Sequence, residues 1–274
     1  MKRSKRAFTL VELVTVLAVI AIVTHLAVRE LSHVRDAKLV QAADKQLETI
    51  RTSVYARATG EEATGFLADM GRLPRLADES TLGELWKMPT NALPYAVRAA
   101  TAENLVPGLD ALADSSVYVP TGWRGPYLRL PFGKSRLFDP WGNPMEREDD
   151  AGLTRLWTTN GFICTVAHYG PRAQANGVRK IELAPDGGAT SRLVINAQSA
   201  DSTFAGEITY TWYGPASGLI TGAVQKVLYP TSAVFDGLTP GRRILKVKVK
   251  DSHSGLARTI DVKPGDNLIS ISLP

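Results

Sequence analysis

Between Ala7 and Val28 the chain reads A-F-T-L-V-E-L-V-T-V-L-A-V-I-A-I-V-T-H-L-A-V, and only Glu12 is charged within it. No other stretch limits the possible folds so strongly. A carboxylate in a hydrocarbon segment costs roughly 2.5–3.5 kcal/mol at a helix centre, so it calls for a partner or a task. Leu13 to Val28 gives 16 uncharged residues, about 24 Å of helix, short of a bilayer core of roughly 30 Å. Counting from Phe8 gives 21 residues, about 31 Å, and the span fits. A membrane helix here therefore holds Glu12 inside the bilayer's inner edge. Lys2, Arg3, Lys5 and Arg6 precede the run. Positive charge on that flank keeps the start of the chain cytoplasmic and sends the rest outward.

Two simpler readings compete. A secretory signal peptide shares the basic start and the apolar core, but it needs small residues ahead of its cleavage site. His25 stands two places before Ala27, and Glu12 breaks the core. An ordinary single-span anchor leaves Glu12 without a purpose, which is rare inside a membrane.

The stretch K-R-A-F-T-L-V-E-L followed by the apolar run resembles the amino terminus of type IV pilins and of the pseudopilins of type II secretion. The resemblance implies a prepilin peptidase that cuts between Ala7 and Phe8 and N-methylates Phe8. Glu12 then becomes the fifth residue of the mature chain. Members of that family usually carry Gly where Ala7 stands and a proline further along the apolar stretch, whereas here no Pro precedes Pro74. The resemblance also assigns Glu12 to assembly, its carboxylate meeting the Phe8 amine of a neighbouring subunit. Breaking such a buried pair leaves an uncompensated charge worth roughly 3–5 kcal/mol.

The net charge of +5 and a pI near 9.3 suit a nucleic-acid binder at first sight. Lys2, Arg3, Lys5 and Arg6 account for four of those charges, and without them a formal +1 remains. The basicity is a topology signal, and no nucleic-acid partner is expected. Cys164 is the single cysteine, so no intrachain disulfide can form, although the bulk of the chain faces an oxidising compartment.

Beyond the span, Leu31, Val34, Val40, Ala43, Leu47, Ile50 and Val54 recur mostly at steps of three and four, one apolar face of a helix. Neither Gly nor Pro interrupts Phe8 to Thr59, and Gly60 is a natural stop. The pattern predicts a helix over 8–59, roughly 75 Å long, whose upper apolar face packs on a sheet.

Residues 60–185 are rich in turn signals and short apolar runs, which predicts a small α+β head. Three motifs stand out: G-R-L-P (Gly71 to Pro74), W-R-G-P-Y-L (Trp123 to Leu128) and D-P-W-G-N-P. In the last, Asp139, Pro140, Trp141, Gly142, Asn143 and Pro144 form a rigid loop with Gly142 free to take positive φ, and Trp141 is expected to lie on the sheet. Their order resembles the head of the major pseudopilin of type II secretion. Such heads often bind calcium through aspartates in a late loop. The matching stretch here, Tyr169 to Val178, has no Asp or Glu, and Arg172 opposes a cation. Since calcium favours several oxygen ligands including carboxylates, no calcium and no other cofactor is expected.

Ala184 to Ser191 reads as a linker, and residues 191–274 as an appended module where pseudopilins of this type normally end. Period-two alternation marks strands. Ile208, Tyr210 and Trp212 share one face; Leu245, Val247 and Val249 alternate with lysines; Ile269, Ile271 and Leu273 alternate with serines. The expected fold class is α+β, a long stalk helix on a small antiparallel sheet, followed by a β-sandwich. L-T-P-G-R-R-I-L-K-V-K-V and V-K-P-G-D-N-L-I-S-I-S-L, read as two hairpins, resemble immunoglobulin-like surface modules of the PEGA or carboxypeptidase-regulatory kind.

No histidine spacing suits a metal, and no nucleophile elbow, P-loop or dinucleotide fingerprint occurs. Cys164 and His168 lie four apart without a third partner, and Glu146, Glu148, Asp149 and Asp150 read as a solvated acidic loop. The chain is not expected to be an enzyme. The resemblance implies a single-pass inner-membrane subunit with its carboxy-terminal parts in the periplasm. Its partners would be further copies and other pilin-like subunits through the helix, the prepilin peptidase and an inner-membrane assembly platform. Alternatives are a type IV pilus or DNA-uptake pilin, and a filament-tip subunit whose β module binds substrate or carbohydrate.

Overall fold

The computed structural model describes residues 10–56, 63–75, 82–101, 103–106, 114–142, 162–166, 178–183, 188–200, 203–250 and 255–273. The expected cleavage site at Ala7 and Phe8, the loop residues Asn143 and Pro144, the acidic run 146–150 and the loop 169–177 lie outside them.

The architecture begins with a single helix, α1 (Leu10–Val54). It ends about five residues before the expected stop. The next segment turns into a β-bridge instead, with Ala56 N–H donating to Thr64 O at 2.8 Å and Thr64 N–H to Ala56 O at 2.7 Å. The returning chain crosses the helix end at Gly65, φ 109°, where a Cβ would sit 2.6 Å from Val54 O. Only glycine fits that approach.

The head follows as α2 (Phe66–Met70), a 3₁₀ turn (Gly83–Leu85), and two antiparallel pairs. These are β1 (Ala96–Ala100) with β2 (Asp114–Thr121), and β3 (Phe162–Val166) with β4 (Val178–Glu182). Its core joins Leu47, Ile50 and Val54 of α1 to Phe66, Leu67, Met70, Leu82, Leu85, Leu137 and Leu183. The upper part of α1 lies against β4 of the small antiparallel β3–β4 sheet, with α2 beside it, and Leu137 and Leu183 complete the core there.

Seven strands complete the chain: β5 (Ser191–Gln198), β6 (Glu207–Ala216), β7 (Leu219–Leu228), β8 (Ala233–Leu238), β9 (Gly241–Val249), β10 (Gly255–Val262) and β11 (Gly265–Ser272). They form two facing sheets, β10-β9-β6-β7 and β11-β5-β8, with β11 parallel to β5. Ile208, Tyr210, Trp212, Leu245, Val247 and Ile271 point into the shared core, as alternation requires. The fold is α+β with a carboxy-terminal β-sandwich. Neither Pro-Gly segment is a hairpin turn. Pro240-Gly241 joins β8 to β9 and Pro264-Gly265 joins β10 to β11, and each carries the chain from one sheet to the other.

Of the expected linker, residues 188–191 are described, and there Ala189 is buried in the head core and Ser191 at the start of β5. Head and sandwich are also welded directly. Ala100, Leu105, Val117 and Val119 of the head share a core with Tyr213 and Ile220 of the sandwich. Backbone bonds run Val106 N–H to Ile220 O, Ile220 N–H to Asn104 O and Gly218 N–H to Met70 O, at 2.8, 2.7 and 3.1 Å.

Candidate functional site: the stalk helix and the head junction

The lower part of α1 is apolar on all sides and none of the described residues covers it. Leu13, Val16, Leu17, Val19, Ile20, Ile22, Val23 and Leu26 are all at least half exposed. A helix apolar on every side belongs in an apolar solvent. This segment is long and apolar enough to cross a membrane. The polar groups inside it conform. Thr15 turns its hydroxyl back to donate to Val11 O at 2.8 Å, hiding the group within the helix. Glu12 lies in the first turn, where the helix dipole favours negative charge.

From Ala43 upward the same helix is clasped by the head. Ala43, Leu47, Ile50 and Val54 are buried, and Gln46 donates from its side chain to Phe138 O at 2.8 Å. That bond seats the D-P-W-G loop beside α1. Within the loop Asp139 is buried and accepts the Trp141 N–H at 3.0 Å, while Gly142 takes φ 90° as expected. Trp141 is only half-buried, and the large loop residue that enters the core is Leu137, against α1.

The other two motifs converge on Glu84. Arg72 holds both carboxylate oxygens, at 2.6 and 2.8 Å, and Arg75 N–H donates to Oε2 at 2.8 Å. Burial alone would push Glu84 up. The Arg72 hydrogen bonds, the Arg75 N–H and the two guanidinium charges reverse that and hold it below its ordinary value. Trp123 Nε1–H donates to Glu84 O at 2.9 Å, and Tyr127 N–H to Leu85 O at 2.7 Å. Beside this junction, buried Asp69 accepts Tyr127 O–H and Arg124 Nη2, each at 3.0 Å. Burial, reinforced by Asp69, raises the Tyr127 phenol far above its usual range, so it is a neutral donor.

Gly71 caps α2 in the left-handed region, φ 70°, and a Cβ there would lie 1.8 Å from Pro215 O of the sandwich. The glycine of G-R-L-P thus marks where the two parts touch. Arg243 locks the same seam. Fully buried, it donates to Thr239 O and Pro240 O at 3.0 and 2.8 Å, to Thr239 Oγ1 at 2.6 Å and to Ala68 O of the head at 3.4 Å. Burial drives its guanidinium down to about 9, with Tyr55, Asp261 and Asp69 pulling upward, so it remains charged at neutral pH.

Residues 2–28 match the prokaryotic N-terminal methylation motif. That motif and the apolar helix fit a type IV pilin-like protein, one that a prepilin peptidase processes and that is anchored in a membrane. No curated protein matches the chain. The match covers the stalk's apolar start, including Glu12, and leaves the head and sandwich untouched. Sequence reasoning singled out Glu12 and the three head motifs but missed Glu84, Asp69 and Arg243. For Arg243 a signal existed: it shares strand parity with Leu245 and Val247, so it had to point inward.

Proposed function

We propose that this chain is a pseudopilin-like structural subunit of a short periplasmic filament of the type II secretion kind. The carrying observation is the methylation motif at residues 2–28 joined to an uncovered apolar helix with one carboxylate in its first turn. In the membrane, lipid covers Leu10 to Leu31. In the filament, the stalks of neighbouring copies cover the same surface, and Glu12 pairs with the methylated Phe8 amine of a neighbour. The order of the G-R-L-P, W-R-G-P-Y-L and D-P-W-G-N-P motifs supports the pseudopilin assignment. The chain's work is mechanical, without catalysis or cofactor, and extraction is driven by a separate cytoplasmic ATPase acting with an inner-membrane assembly platform.

Mass spectrometry of the mature amino terminus tests the processing, with an N-methylated Phe8 expected. Glu12→Ala tests assembly. It should leave the protein inserted and processed while filament yield falls at least about tenfold, consistent with losing a buried pair. Undiminished filaments from that variant, or a mature chain that begins after Ala27, would overturn the reading.

A further inference from the structure

The two sheets of the sandwich have four edge strands, and three of these are closed or marked against pairing. Along the start of β7, Val106 N–H donates to Ile220 O and Ile220 N–H to Asn104 O, at 2.8 and 2.7 Å. At β8 the Gln225 side chain stands in for a strand residue: its Oε1 accepts Val234 N–H at 2.8 Å and its Nε2 donates to Val234 O. β10 carries two charges, Arg258 and Asp261. β11 is bare. Among the described residues it pairs with β5 alone, in unbroken register, with neither Pro nor a basic side chain and with Leu268 69% exposed. Edges are ordinarily blunted, since a row of open N–H and C=O groups templates another strand. We infer that β11 receives an extended segment of a partner protein as a fourth strand of its sheet, with an acidic residue two places from an apolar one on the inward face.

The inner face opposite that position supplies the recognition. Antiparallel pairing sets Leu256 beside Val247, Arg258 beside Leu245 and Ile260 beside Arg243. Val247, Leu245 and Arg243 are buried, so Leu256, Arg258, Ile260 and Val262 share the inward parity. Ile260 and Val262 are buried, whereas Leu256 is 41% exposed and Arg258 is exposed as well. The inner face of β10 thus loses its cover partway along the strand, and sheet order gives the reason. The Gln225 bonds set β7 beside β8; counted from that side, four strands face three, and β10 is left without a counterpart. A strand added beyond β11 occupies that place, and its inward side chains meet Leu256 and Arg258 across the roughly 10 Å between packed sheets. Arg258 makes no hydrogen bond or ion pair among the described residues. Closing a strand over an unanswered guanidinium favours a carboxylate there and rejects a second cation. Backbone pairing with β11 gives affinity, and the two inward side chains give selectivity.

The test uses the full chain in detergent micelles and the fluorescence polarisation of labelled peptides. The probes are Thr-Val-Thr-Glu-Thr-Val-Thr, the same peptide with Lys in place of Glu, and the Glu peptide with Pro in place of its two middle threonines, which cannot complete a ladder. The Glu peptide should bind at least about tenfold tighter than the Lys peptide, the ratio expected for one charge-assisted contact. The Pro peptide should not bind. Arg258→Glu should reverse the preference between the Glu and Lys peptides without lowering the melting temperature, because the side chain is exposed. Lys226→Glu, an exposed cation on β7, should bind as the parent does. Equal affinity for the two charged peptides, an unreversed preference in Arg258→Glu, undiminished binding of the Pro peptide, or no binding of the Glu peptide would each overturn the assignment. A disulfide-linked dimer of Leu268→Cys in a Cys164→Ser background would overturn it too, because a second copy's β11 would then hold the edge.

Discussion

The two halves of α1 are built from the same kinds of residue and meet opposite fates. Ile20, Val23 and Leu26 in the lower half are more than half exposed, while Leu47, Ile50 and Val54 in the upper half are almost fully buried. Helix periodicity records which surface must leave water, and it is silent about what will cover it. In the upper half the cover is intramolecular, supplied by β4, α2, the 3₁₀ turn and Leu137. In the lower half the described residues supply none, and the apolar surface suits lipid or other copies instead. The composition of the remaining faces marks the division. Arg35, Asp36, Lys45 and Glu48 surround the upper stripe, whereas no charge follows Glu12 until Arg29.

Truncation should have the largest effect, and it tests whether the sandwich belongs to the same intramolecular cover. A chain ending at Thr190 would expose Met70, Ala100 and Val119 and leave Gly71 facing nothing. Loss of cooperative head unfolding in a calorimetric scan is expected. A truncated protein that melts as the parent does would mean that the sandwich is dispensable and the seam incidental.

Next in size, Ile50→Ala should cost about 4 kcal/mol of head stability, as large-to-small changes in a closed core do. Val19→Ala should leave the head's thermal midpoint unchanged and appear only in filament yield. Comparable midpoint losses from both variants would erase the distinction between the halves. Below these, Arg243→Met should cost about 3 kcal/mol by denaturant titration. It keeps much of the side-chain volume but strands the carbonyls of Thr239 and Pro240, and unsatisfied buried groups carry such penalties.

Much of this was legible in the sequence, and what was missed has physical causes. Alternation placed Tyr210, Trp212, Leu245 and Val247 on inner faces correctly, because strand parity is local and burial follows it. The membrane span, the α+β class and the sandwich follow from the same periodicities. Partners distant in the chain were not legible. Pro240-Gly241 and Pro264-Gly265 look like hairpin turns locally, yet whether a turn returns to its own sheet depends on which strands pair. Arg72 finds Glu84 and Trp123 finds the Glu84 carbonyl only because the fold brings them together. The Gly-rich stretch before Ser191 resembles a linker by composition, while the burial of Ala189 comes from head residues far away in sequence. The helix stopped early for a related reason, since the Ala56–Thr64 bridge competes with another helical turn.

The smallest expected effect concerns that Glu84 junction and sharpens the comparison by showing that the head, not the stalk, sets the response to acid. Glu84 has a folded pKa below its ordinary 4.5, held there by Arg72 and Arg75 against the opposing effect of burial. A depressed carboxylate stabilises the fold fully above its unfolded pKa and loses that contribution as pH falls through the folded value. The parent should therefore lose thermal stability on acidification below about pH 4.5, and Glu84→Gln should show a shallower slope there. At pH 7 the variant should melt lower than the parent, because Arg72 would keep its buried place without a countercharge. Glu48→Gln, an exposed carboxylate near Arg51 on the stalk, should leave both slope and midpoint nearly unchanged, as exposed pairs contribute little. Identical acid slopes for the parent and Glu84→Gln would place the acid-sensitive carboxylate elsewhere and remove the junction from the head's stability.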